Sequence, residues 1–312
     1  MNKIKNTKKT SFGKTLLKDL EKNKFKYLMI LPIIIYLSVF AYKPMYGLLI
    51  AFKDYRITLS IGEAEWVGLK YFKQFFNDPY CFRLFRNTLV INLLGLIFTF
   101  PMPIIFALLL NEVRVKWFKK TVQTISYMPH FISMVIMCGM IVNFCSADGI
   151  ITNLLTIFGM EKDNLLLNKE LFYPIYIISD IWKSIGWNSI IFLAALSGID
   201  QEQYEAARID GASRLQQMRY ITFPGLLPTI SMLLVLRIGQ LLSVGYEKIM
   251  LLYQPTTYEV ADVISTYVYR KGIYSGNFSY GTAVGLFNSL MNIILLLIAN
   301  KVSKKSGQSG LF

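Results

Sequence analysis

Two groups of residues in this 312-residue chain have types and spacings suited to chemistry. One is the run EAARIDGASRLQQMRYITFPGLLPTI at 205–230, where Glu205, Arg208, Asp210, Arg214 and Arg219 stand among small residues between two long apolar stretches. A polar loop of this kind must touch something in water. The other group consists of polar side chains inside apolar runs. Asp180, Lys183, Trp187 and Asn188 fall at helical spacing in one run. Arg237, Gln240, Tyr246, Glu247 and Lys248 lie in the next, and Asn288 and Asn292 stand at i,i+4 in the last. Polar groups at such positions are costly in lipid and usually face a cavity or a partner. Aromatic rings beside hydrogen-bonding groups suit the faces and hydroxyls of sugars, and Arg237 could attract an acidic one. Plainer readings stand beside these. Asp180 and Lys183 can neutralise one another at i,i+3, and Asn288 and Asn292 can bridge helices.

Catalysis has no comparable footing. His130 is the only histidine, which excludes a multi-histidine metal site and an H-E-x-x-H motif. It follows Pro129 near the start of an apolar run and reads as a packing residue ahead of a proton relay. Cys81, Cys138 and Cys145 are odd in number without C-x-x-C spacing, so no disulfide framework is indicated. Gly13-Lys14-Thr15 resembles the end of a phosphate-binding loop, but Lys8 occupies the place of its first glycine. The chain reads as no enzyme, and no cofactor or metal is expected on it.

The elements that position these residues follow from composition. Hydrophobic residues make up 54% of the chain and charged residues 17%, against about 25% charged in soluble domains. Several runs reach the roughly 20 apolar residues that cross a bilayer as a helix. The fold class is therefore all-α, a polytopic membrane protein. Six spans are expected, at about Tyr27–Ala51, Asn87–Leu110, Thr121–Cys145, Leu171–Leu196, Leu226–Leu252 and Tyr280–Asn300. Pro44 is placed to kink the first, and Lys43 to snorkel toward the outer surface. No small-x-small cleavage site follows the first apolar run, so it reads as an uncleaved span.

Lysine and arginine set the orientation. Residues 1–26 form a basic arm, the NEVRVKWFKK loop adds Arg114, Lys116, Lys119 and Lys120, and the tail at 301–312 carries Lys301, Lys304 and Lys305. With six spans all of these fall on one side, which the rule makes cytoplasmic. Both termini and the 205–230 loop share that side. The net charge of +14 thus reflects topology and an anionic lipid surface, not nucleic acid. Residues 27–83 hold the first span and an aromatic external segment, and 84–300 hold the other five spans.

Within the loop, DQEQYEAARIDGASRLQQM is expected to form a short amphipathic helix or helical bend. Asp210 and Arg214 stand at i,i+4 with the acid first, the favourable order. Ala207 and Gly211 share that spacing, leaving a face with almost no side chain. A glycine inside a helix costs about 1 kcal/mol, which close approach by another protein would offset. Pro224 and Pro228 interrupt the chain before the next span. On this physics alone, docking to a protein and lying on lipid through Arg208, Arg214 and Arg219 are balanced.

The wording of the loop resembles a known family. Glu205-Ala206-Ala207, Asp210-Gly211-Ala212 and Phe223-Pro224 resemble the EAA loop of binding-protein-dependent ABC importer permeases, which usually have Leu at the place of Phe223. YKPMYGLLIAFKDY, WVGLKYFKQFF, RNTLVINLLGL, ISYMPHFIS, IWKSIGWNSIIFLAALSGID and ITFPGLLPTI look like the LplB-type polysaccharide permeases, relatives of the maltose permease. The resemblance implies a type I importer permease in a bacterial cell membrane. It implies a second, similar permease chain, two cytoplasmic ATPase subunits that bind ATP and Mg, and an external solute-binding protein. Glu205, Ala206, Ala207, Asp210 and Gly211 would be the docking residues. The cargo it implies is carbohydrate, with an oligosaccharide released from a polysaccharide favoured. A secondary transporter, or a membrane assembly or sensor protein without a substrate path, is the alternative.

Overall fold

The computed structural model describes residues 22–307 together with Asp19, Gly310 and Leu311. Most of the basic arm, Lys3 to Lys18 included, lies outside the described residues.

The chain is a bundle of long helices with a small cap at one end. Helix α1 runs from Lys24 to Phe52, followed by a two-stranded antiparallel hairpin, β1 (Lys53–Asp54) and β2 (Glu65–Trp66), and a short helix α2 (Lys70–Phe76). Helix α3 spans Cys81–Glu112. Then come α4 (Lys116–Tyr127), α5 (Met134–Cys145), α6 (Ile150–Ile157) and α7 (Lys169–Ser197). Helices α8 (Gln201–Ile209) and α9 (Arg214–Ile238) flank the loop of interest. Short helices α10 (Tyr246–Leu252), α11 (Tyr258–Ala261) and α12 (Ile264–Val268) lead to α13 (Phe278–Lys305).

Among the described residues, five helical segments are long and apolar enough to cross a membrane: 24–52, 81–112, 134–157, 214–238 and 278–305. Helix α7, with 29 residues, reaches about 43 Å at 1.5 Å per residue. Its length suffices as well, but Asp180, Lys183, Ser184, Trp187 and Asn188 make its middle polar.

Two expected spans differ from the sequence reading. The third, placed at 121–145, is broken. Helix α4 ends in a tight turn at Met128–Phe131, and Ile132 and Ser133 are extended before α5 begins. Pro129 and the Ser133 cap, which accepts from the Ile136 amide, explain the break. The fifth, placed at 226–252, starts earlier and comes in two pieces. Helix α9 already begins at Arg214, ends at Ile238, and is followed by an unwound stretch before α10. Gly239 and Gly245 bracket that stretch.

The prolines also act differently from a simple interruption. Three π turns, Ser38–Tyr42, Gly95–Thr99 and Met218–Thr222, each end two residues before a proline: Pro44, Pro101 and Pro224. A proline ring clashes with the carbonyl four residues earlier and offers no N–H. That carbonyl belongs to Phe40, Ile97 and Tyr220 respectively, each inside its π turn, where the wider spacing relieves the clash. The helices therefore continue through Pro44 and Pro224.

Three buried clusters hold the bundle. At one end of the bundle, Ala51, Tyr71, Phe75, Leu84, Ile264, Tyr267, Tyr280 and Val284 pack the end of α1 and α2 onto α3, α12 and α13. Ser279 ties the same region, donating to Lys53 O at 2.7 Å and accepting from the Tyr55 amide at 2.9 Å. Burial and a hydrogen bond to Asp54 push the Tyr71 phenol up to about 12. A second cluster joins α5, α7, α10 and α11 through Met137, Cys138, Ile141, Tyr176, Ile249 and Ala261. The third, Ile104, Ala107, Phe192, Leu196 and Leu226, closes the end nearest the loop. Helix α1 is different: from Lys24 to Tyr46 no residue is buried by this chain. A helix apolar all round and uncovered needs lipid or another subunit.

Candidate functional site

The first break meets the polar middle of α7, and Gln240 of the second lines a cavity beside it. At the first break Lys183 Nζ donates to Ile132 O at 2.5 Å, satisfying a carbonyl that left its helix. His130 stacks on Trp187, with ring centroids 4.3 Å apart and planes 2° apart, and Phe131 meets the same indole edge-on. Gly186 allows this approach, because a Cβ there would lie 2.2 Å from Ser126 O. At the second break Asn292 Oδ1 accepts from the Leu242 amide at 3.1 Å and its Nδ2 donates to Ser243 Oγ at 2.8 Å. Asn92 donates to Leu241 O at 2.8 Å, and Ser265 donates to Val244 O at 2.7 Å. Backbone freed from a helix within a membrane needs such partners.

Asp180 does not pair with Lys183. Its partner is Lys248, 3.3 Å away and 3% exposed, which also donates to Tyr176 O at 2.8 Å and lies 4.0 Å from the centre of the Tyr176 ring. The i,i+3 spacing placed the two α7 charges on neighbouring positions, but Lys183 is drawn to the open carbonyl of the first break.

A cavity of about 680 Å³ opens between α3, α7 and α9. Five of the residues singled out from sequence line it: Asp180, Trp187, Asn188, Arg237 and Gln240. Apolar walls come from Phe100, Ile191, Leu233 and Leu236. The other candidates lie elsewhere. Lys183 and Asn292 serve the breaks. Tyr246 stacks on Tyr269 at 5.3 Å, and Glu247 is exposed. Asn288 is half-buried, and its Oδ1 has no hydrogen-bond partner. Sequence reading missed Gly95 and Thr99, which line the cavity from the π turn of α3. Among the described residues no group of His, Cys, Asp and Glu comes together as a metal site requires.

The loop forms a compact helix–turn–helix. Asp200 caps α8 by accepting from the Glu202 amide at 3.0 Å, and Ser213 with Gln216 makes a capping box at the start of α9. Gly211 is not inside a helix. It sits in the turn at φ +77°, with Gly211 N bonded to Arg208 O and Ala212 N to Ala207 O. That pair of bonds is a Schellman ending, whose left-handed position favours glycine for lack of a Cβ. Space does not explain this glycine, since nothing lies within 4 Å of a Cβ built there. Asp210 and Arg214 belong to different elements and make no ion pair, so the expected surface pair is absent. Glu205, Ala206 and Asp210 are exposed and Ala207 is half-buried. Two large apolar side chains that sequence reading passed over stand out beside them, Ile209 at 87% and Leu215 at 74% exposed. The unit is tied to the bundle by Tyr204 Oη and Thr222 Oγ1, 3.0 Å apart.

Comparison with known proteins places this geometry. The model of the family described as binding-protein-dependent transport system inner membrane component matches residues 84–306. The polygalacturonan/rhamnogalacturonan transport system permease protein YteP of Bacillus subtilis (strain 168) is 48% identical over 300 residues, 96% of this chain and 94% of its own. Protein LplB of the same organism is 47% identical over 294 residues, 94% and 92% of the two chains. A chain in the crystal structure of a bacterial alginate ABC transporter, in complex with an alginate pentasaccharide-bound periplasmic protein, superposes with a TM-score of 0.87 at 45% identity. That match covers 95% of this chain and 99% of the other. With a family match across the bundle and relatives near half identical along almost the whole chain, this protein is a member of the binding-protein-dependent transport system inner membrane component family.

Proposed function

We propose that the chain is one of two permease subunits lining the path of an ATP-driven importer of oligosaccharides cut from a polysaccharide. An external solute-binding protein delivers the cargo. Two cytoplasmic ATPase subunits bind ATP and Mg and act on the permeases through α8 and the turn that follows it. The observation that carries this reading is the exposed helix–turn–helix at 201–217, with Ile209 and Leu215 uncovered on an otherwise polar surface. Such side chains fit a groove on another protein. Glu205 and Asp210 add acids for basic partners, and Ala206 and Ala207 keep that face low. Six crossings, with both termini and this loop in the cytoplasm, follow from the lysine and arginine distribution once α7 is counted as a span. The substrate class rests on the sugar transport named for the relatives and on the amides and indole of the cavity.

Coupling requires that the loop meet the ATPase differently in its two states. The turn is rigid enough to carry a push, being closed by the Schellman bonds and the capping box and linked to α9 through Tyr204. Proteoliposomes holding the assembled complex test the reading. Uptake of a labelled oligosaccharide is expected only with binding protein outside and ATP inside, and an Ile209→Glu variant of this chain should lose both uptake and retention of the ATPase. Uptake driven by an ion gradient without ATP would contradict it.

A further inference from the structure

The charges of the cavity do not balance. Asp180 is committed to Lys248, and Lys183 is committed to the Ile132 carbonyl. Arg237, half-buried in the cavity wall, meets no hydrogen-bond or ion-pair partner among the described residues. A guanidinium at this depth is costly unless it faces water or an anion. Its position is also prepared. The guanidinium lies over Gly95, with Nη2 2.9 Å from where a Cβ there would stand, so a side chain at 95 would move it. One turn along, Thr99 is 8% exposed and its hydroxyl has no partner. The amides of Asn188 and Gln240 line the same cavity, and no other side chain occupies them.

We propose that Arg237, seated over Gly95, is a carboxylate subsite inside the path, and that it recognises a uronic-acid unit of the passing oligosaccharide. The inference rests on the import reading above and adds the residue of this chain that reads an acidic unit of the cargo. A guanidinium offers a planar fork of donors matched to the two oxygens of a carboxylate. Neutral amides beside it suit the ring hydroxyls, and the indole of Trp187 offers an apolar edge. Asp180 cannot quench the fork while Lys248 holds it, so the positive charge stays available to the ligand.

Labelling separates this subsite from specificity residing in the binding protein. In the purified complex of this chain with its partner permease and ATPase, Asn188→Cys supplies a cysteine in the cavity, whereas Cys81, Cys138 and Cys145 are buried. Trigalacturonic acid should slow maleimide labelling at position 188, and its carboxyl-reduced trisaccharide should not. Adding Arg237→Gln should raise the half-protecting concentration of the acid at least about tenfold, the loss expected for one hydrogen bond to a charged group. Arg237→Lys should retain part of the protection. Gly95→Ala, which displaces the guanidinium without removing its charge, should give an intermediate value. Equal protection by both trisaccharides, no protection by either, or a difference that survives Arg237→Gln would overturn the subsite. Uptake by the same complex reads the import reading separately: protection without any ATP-driven uptake would count against import and leave the subsite standing.

Discussion

Gly211 stands at φ +77° with open space around it, so its constraint is conformational and local. Asn enters the left-handed region readily and a β-branched residue does not. Gly211→Asn should therefore leave ATPase copurification nearly intact, while Gly211→Val should cost about 1–3 kcal/mol in the turn and weaken it. Equal retention in both variants would show that the turn can change shape without consequence. The Asp180–Lys248 pair makes a second residue-level prediction. Lys248→Met leaves Asp180 without its partner and should lower the stability of the detergent-solubilised protein by about 3 kcal/mol. Adding Asp180→Asn should recover much of the loss, and no recovery on thermal unfolding would speak against the pair. Which residues carry charge in the cavity was legible in the sequence. The pairing was not: Asp180 and Lys248 are 68 positions apart, and local spacing pointed to Lys183.

At the scale of elements, the crossings read well where apolar residues run unbroken, as in α1, α3 and α13, and less well where composition continues through a break. The stretch GQLLSVG at 239–245 is as apolar as a helix, yet its backbone is unwound and held by Asn92, Asn292 and Ser265. Asn288 and Asn292 are expected from sequence as substrate contacts or helix bridges, and Asn292 bonds the unwound stretch. Its partner is a broken backbone, not a second helix face. Asn292→Leu should strand the Leu242 amide and destabilise the protein by about 1–3 kcal/mol. Asn288→Leu, whose carbonyl oxygen has no partner to lose, should cost less. Thermal unfolding of the two variants side by side checks this, and an equal cost would contradict it. Proline also misled in part. Pro224 is expected from sequence as an interruption, but it follows a π turn that keeps its helix continuous, and Pro44 has the same setting.

For the whole molecule, a cavity beside the middle of α7 and an exposed turn beyond its C-terminal end lie along one helix. Helix α7 connects them directly, since it carries Asp180 through Asn188 along the cavity and ends at Ser197, three residues before the cap of α8. Membrane character and the existence of the loop were plain in composition and charge. The surface that α8 offers was not, because the exposure of Ile209 and Leu215 is set by the Schellman turn and capping box between them, which apolar spacing does not reveal. This surface is the one proposed to meet the ATPase. Single cysteines at Ile209 and Leu215, in the assembled complex, test it by cross-linking, with a cysteine at the outward-facing Ile97 as reference. Cross-links to the ATPase are expected from 209 and 215, altered in yield when ATP is bound, and none from 97. Cross-links absent from both loop positions in a complex that still imports would contradict it, and coupling would have to run through another surface of the chain.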